Sequence, residues 1–172
     1  MAEAVRERLQ PSLLERLTDD APERGSEGRD ARLIGPSQLR ASVLRNLSNL
    51  FNAVCLEADH DLDAWPEIRR SVLNFGLPAL SGRVASSLKM RDLERELRQA
   101  VICFEPRLLP DSVRVSALGD NKDPNSHNVI TFRIEAQLWA QPAPVPLSLH
   151  TELSLESGQC VVAEAGAGGA RR

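Results

Sequence analysis

Three histidines, three cysteines and a run of alternating aspartates are the residues here that could do chemistry, and spacing tests each of them. Asp59, Asp61 and Asp63 match the first ligands of a calcium loop. The sixth position, where such a loop needs glycine, is Ala64, and the twelfth, where it needs glutamate, is Arg70. No calcium site is expected. His60, His127 and His150 show neither helix-facing pairing nor nearby cysteine pairs, so no zinc site is expected either. Cys55, Cys103 and Cys160 are odd in number and far apart, and read as reduced, mostly buried thiols. The Gly166–Gly169 cluster has no lysine and no following helix, so it cannot cradle phosphate. No Gly-x-Ser-x-Gly elbow occurs. A glycosidase needs two carboxylates across a cleft, and nothing in the pattern pairs them. With four Phe, two Trp and no Tyr, a cleft for stacking sugars or bases lacks its walls. The chemistry left is that of contact, without catalysis, cofactor or metal.

One charged corner stands out. Phe104-Glu105-Pro106-Arg107-Leu108 closes an amphipathic helical pattern just before the strand patterns begin. Proline lacks an amide donor and clashes with the preceding helical turn, so it ends the helix and extends the residue before it. Glu105 and Arg107 therefore flank a rigid corner. Two readings stay open for them. In one they serve local structure, Arg107 pairing with an acidic residue of the sheet and Glu105 with Arg40 or Arg45. In the other they meet a partner.

The elements that would position this corner follow from periodicity. Residues 1–35 read as a charge-rich arm, partly flexible, with one short helix in which Ser12 caps Leu13–Leu17 and Glu15 takes the capping-box position. Three leucines in so short a helix need a surface to lie on, either the body of the protein or a partner. Residues 36–163 read as one domain and 164–172 as a disordered tail. Leu39, Val43, Leu47, Leu50, Phe51 and Val54 predict a first helix with one buried stripe, opening at Ser37. An acidic connection over 55–65 leads to a second helix starting at Pro66 and running to Asn74, with Gly76 as its left-handed cap. Leu88, Leu93, Leu97, Val101 and Phe104 predict a third, beginning near Ser86 or Ser87.

From Ser112 the period becomes two. Val113, Val115 and Ala117 predict one strand, Ile130 to Leu138 a second, Leu147 to Leu155 a third, and Cys160-Val161-Val162 a short return after a Ser157-Gly158 turn. Pro142, Pro144 and Pro146 are read as a connection. Helices first and strands afterwards imply an α+β fold. Three main helices would pack on one face of a small antiparallel sheet of about four strands. The chain has 172 residues and net charge −3, from 21 basic and 24 acidic residues. That length can bury a full core, and that balance excludes binding to nucleic acid through a strong basic field. No apolar run approaches a membrane span, and the N-terminus lacks the apolar core of a signal peptide.

In order and spacing these segments resemble a known family. Ser12–Leu17, Ser42–Asn52, Ser71–Pro78 and Phe104–Leu108 are similar to the segments that mark TssE, the baseplate subunits of type VI secretion systems. These belong with the contractile-phage baseplate wedge proteins once labelled lysozyme-like. Where the family usually carries an acidic residue this chain has Asn46. The resemblance implies a structural, cytoplasmic role without catalysis. Its expected partners are the wedge subunits TssF and TssG and the sheath subunits TssB and TssC, whose first ring it would template. It implies that Glu105, Pro106 and Arg107 form the partner-binding motif. It also leaves two alternatives on a related fold: a regulatory anti-adaptor module, and the older reading as a peptidoglycan hydrolase.

Overall fold

The computed structural model describes residues 12, 13, 17, 18, 22, 23, 35–79, 89–118, 129–140 and 143–165. Helix α1 spans Pro36–Phe51. Proline suits its first turn, because the amide it lacks would have no partner there. Gly35 stands at the N-cap, and the Gln38 side chain reaches back to the Gly35 amide at 3.0 Å. Leu39, Val43, Leu47, Leu50 and Phe51 are buried along one stripe, as the spacing predicts. Val54 is not part of it. The helix ends at Phe51, and Val54 is exposed.

The segment that follows departs most from expectation. The predicted second helix is broken in two. A single turn, α2, covers Pro66–Arg69, and a separate 3-10 turn covers Val72–Asn74. Two polar side chains explain the break. Ser71 Oγ donates to the Ile68 carbonyl and accepts the Leu73 amide. Asn74 donates to the Arg69 carbonyl and accepts the Glu57 amide. Such side chains offer the backbone an alternative to helical bonds. Gly76 does have a positive φ, +134°, although not as a helix cap. A Cβ there would lie 2.6 Å from the Ala53 carbonyl oxygen. Glycine is needed because two backbones touch: Leu77 donates to Ala53 at 2.9 Å, and Cys55 donates to Leu77 at 3.0 Å.

Helix α3 spans Met90–Phe104 and buries Leu93, Leu97, Ala100 and Val101. The expected start at Ser86 or Ser87, most of the N-terminal arm, the 119–128 loop and the tail beyond Ala165 lie outside the described residues. In the arm, Leu13 and Leu17 are helical and exposed.

The sheet has four antiparallel strands in sequence order: β1 Arg114–Leu118, β2 Val129–Leu138, β3 Val145–Ser154 and β4 Cys160–Glu164. Alternation sets its faces. Ile130, Phe132, Ile134, Ala136 and Leu138 of β2 point to the core, with Leu147, Leu149, Thr151 and Leu153 of β3. The intervening Arg133, Glu135 and Gln137 are exposed. Helices α1 and α3 cover the apolar face, α1 against β4 and α3 against β1. The fold is therefore α+β, with helices on one face. Pro146, read as connection, belongs to β3 and pairs with Gln137. It lies beyond Leu149–Glu164, the last rung of β3 with β4. A strand tolerates proline where no neighbour needs its amide.

Candidate functional site

The charged corner is built by the end of α3. Glu105 still donates its amide to Val101 at 2.9 Å, and Leu108 donates to the Glu105 carbonyl at 3.1 Å, closing a turn with Pro106 in second place. Proline presets the backbone angle that position requires. The turn folds Arg107 back onto Glu105. Arg107 Nε donates to Oε1 at 2.7 Å and Nη2 to Oε2 at 2.7 Å, a two-pronged fork. The Arg107 amide adds a third contact at 3.2 Å. Nη1 reaches Ser42 Oγ at 2.6 Å, tying the corner to α1.

The expected pairings with a sheet acid and with Arg40 or Arg45 are therefore replaced. Glu105 and Arg107 take each other, and Arg40 pairs with Glu164 at 2.8 Å. The two motif charges differ sharply in burial: the Glu105 side chain is 2% exposed and that of Arg107 21%. Pro106 is exposed. A buried carboxylate is tolerated only when paired and hydrogen-bonded, and this one has three donors.

Beyond the corner the chain feeds the sheet. Trp139 donates to the Arg107 carbonyl at 2.8 Å, and Leu109 donates to Gln137 at 2.9 Å. Segment 107–112 thus continues the pairing of β1 alongside β2. Sequence reasoning missed the residues that finish the sheet's edges. On the outer edge of β1, Glu94 of α3 accepts the Ala117 amide at 2.7 Å, and Arg98 donates to the Val113 carbonyl at 2.9 Å. On the outer edge of β4, Asn52 holds both backbone groups of Cys160, accepting the amide at 2.9 Å and donating to the carbonyl at 2.8 Å. These partners are separated by 15 to 108 positions, so no local pattern signals them.

Two of the three thiols are buried. No disulfide forms; Cys55 and Cys160 are buried and Cys103 is half-buried. Burial pushes the Cys160 thiol up to about 12, which leaves it protonated and unreactive near neutral pH. Among the described residues no cluster of three or more His, Cys, Asp or Glu could hold a metal. No helix among them is long and apolar enough to cross a membrane.

A protein-family model described as "Baseplate wedge protein gp25" matches residues 37–143. That span is more than half of the chain. The chain belongs to this baseplate wedge family. The match contains the Glu105–Arg107 fork, Ser42, Asn52 and the β1 edge, and stops before β3 and β4. No curated protein and no solved structure matches the chain significantly. The family is structural, a component of contractile injection systems that contacts other baseplate parts, and is not a known enzyme family.

Proposed function

We propose that this chain is a TssE-type subunit of a type VI secretion baseplate. In this reading it is held in the cytoplasmic wedge by TssF and TssG and offers the TssB/TssC sheath its first template. The residues Ser71–Pro78 and Phe104–Leu108 support the type VI assignment through their likeness to that family's marker segments.

The observation that carries the template role is the half-open edge of β4, in a sheet whose opposite edge is tied to α3. An extended segment can add to such an edge through main-chain hydrogen bonds. Within the Glu-Pro-Arg motif, Arg107 is the member that faces a partner. Glu105 is its buried counter-ion and Pro106 sets the turn. The fork leaves the guanidinium fixed in direction, which suits a contact that must orient the incoming subunit.

Sheath assembly tests this. Cells carrying Arg107→Ala or Glu105→Ala are expected to build baseplates without extended sheaths, scored by microscopy of labelled TssB. Normal sheath growth with folded variants would remove the contact role. Copurification of TssF and TssG with the wild-type chain tests the wedge placement. Recovery of one soluble regulator and no baseplate subunit would favour the anti-adaptor alternative.

A further inference from the structure

The β4 edge is open over only part of its length. Gly158 donates to Ser154, Ser154 to Gln159, and Ala165 to Ser148. With the register of the β3–β4 pair, these bonds place Val161, Ala163 and Ala165 facing β3. The amides and carbonyls of Cys160, Val162 and Glu164 then point outward. Cys160 is closed on both groups by Asn52. The Asn52 amide is itself held, because Nδ2 also donates to the Ser48 carbonyl at 2.8 Å. Asn52 thus occupies the place where the next residue of an added strand would sit. No described residue bonds the outward backbone groups of Val162 or Glu164.

At the other end Arg40 donates to the Pro146 carbonyl, past the last rung of β3 with β4, and no described residue holds the backbone of Glu164 itself. Past Glu164 a groove of about 910 Å³ crosses the strand ends, lined by Arg40, Asp111, Arg114, Glu135, Ser148 and Glu164. Leu109 and Pro110, just beyond the Glu105–Arg107 corner, line it too. Mixed charge and half-buried serines fit a polar extended segment better than an apolar helix.

We propose that Asn52 is a strand stop that fixes the register of the partner. The partner's extended segment pairs with Val162 and Glu164, cannot advance to Cys160, and leaves through the polar groove beside the Glu-Pro-Arg corner. This rests on the strand-addition reading above and adds what determines the register. A stop at one end and an exit at the other allow one alignment, whereas a bare edge permits slips of two residues that keep every side chain on its face.

The test uses assembled baseplates offered purified TssB/TssC, with a photo-crosslinking residue replacing the exposed Val161 and adducts mapped by mass spectrometry. The wild-type background should give one partner position. Asn52→Ala should raise adducts two residues away roughly tenfold, as expected if about 1.4 kcal/mol of blocking is lost. Asn52→Asp keeps an acceptor for the Cys160 amide but sets a charged oxygen in place of the donor against the Ser48 and Cys160 carbonyls. It should shift adducts in the same direction to a smaller extent. A single unchanged position in both variants overturns the stop and leaves strand addition standing. No adduct in baseplates that still recruit sheath overturns strand addition itself, and the stop with it.

Discussion

The two edges of this sheet are treated differently. The β1 edge is finished by a helix lying beside it: Glu94 takes an amide and Arg98 a carbonyl, one helical turn apart on α3. Among the described residues, the β4 edge is finished by Asn52 at the end of α1, which holds Cys160. Open edges are aggregation hazards that natural proteins cover, twist or charge. A protein that braces one edge with α3 and caps the other at Cys160 has restricted where another chain can join. The difference also separates the charged corner from the open edge. The corner belongs to the β1 side, where Arg107 neutralises the buried Glu105, and it lies next to the groove that reaches the β4 side.

The largest way to break this arrangement is at the corner. Arg107→Ala removes the fork and leaves Glu105 buried without its cation. Breaking a buried pair from one side costs about 3–5 kcal/mol. The expected result is a loss of that size in denaturant unfolding, read from the midpoint at constant slope. Arg107→Lys keeps the charge but cannot make the two-pronged contact, so it should recover only part of the loss. Near wild-type stability for Arg107→Ala would show that the fork does not support the fold.

Gly76→Ala acts on the other side. Gly76 lets Leu77 pair with Ala53 and Cys55, which fixes the chain just after Asn52 leaves α1. An added Cβ meets backbone atoms at 2.6–2.8 Å and sits at a φ that alanine disfavours. A loss of about 3 kcal/mol is expected from strain and overpacking together. If the Asn52 cap depends on this anchor, the Cys160 amide should also exchange with solvent faster in the variant, by more than the global loss explains.

How much of this could be read from sequence depends on the range of the interaction. Helices α1 and α3 and strands β2 and β3 follow from periodicity, since Leu39, Val43 and Leu47, or Phe132 and Ile134, repeat on a buried face. The predicted second helix starts at Pro66 as expected but stops after one turn, because Val72 and Leu73 are 82% and 67% exposed and give it no buried stripe to continue, and Ser71 and Asn74 divert the backbone. Gly76 showed its unusual backbone angle but not the Ala53–Cys55 backbone it touches. The corner's residues and the proline turn were visible in the chain. That Glu105 and Arg107 would satisfy each other was not, because the turn alone brings two residues with one between them into a fork. The edge residues Asn52, Glu94 and Arg98 were hidden outright, each reading locally as an ordinary polar residue on a helix.

Glu94→Ala sharpens the contrast between the edges. It frees the Ala117 amide on the β1 side and removes a charge-assisted bond of 2.7 Å. A loss of about 1–2 kcal/mol is expected. The more telling readout is self-association, measured by sedimentation at rising concentration. If α3 guards the β1 edge, the variant should associate where the wild type does not. Unchanged association would mean that the remaining cover, with Arg98 on Val113, is sufficient.

The smallest effect should come from the ion pair at the mouth of the open edge. Arg40 and Glu164 lie 2.8 Å apart with side chains 33% and 35% exposed. Arg40 also donates to the Pro146 carbonyl at 3.2 Å. Half-exposed pairs of this kind contribute about 0–1 kcal/mol, so Arg40→Ala should barely move the unfolding midpoint. Binding should respond differently. The pair lines the groove through which an added strand would leave, and it holds Glu164, whose outward backbone groups that strand would use. Arg40→Ala is therefore expected to weaken sheath recruitment in a salt-dependent way while stability holds, because screening acts on partly exposed charges. An equal loss of stability and recruitment would instead make the pair a strut of the fold, and the exit from the β4 edge would have to lie elsewhere.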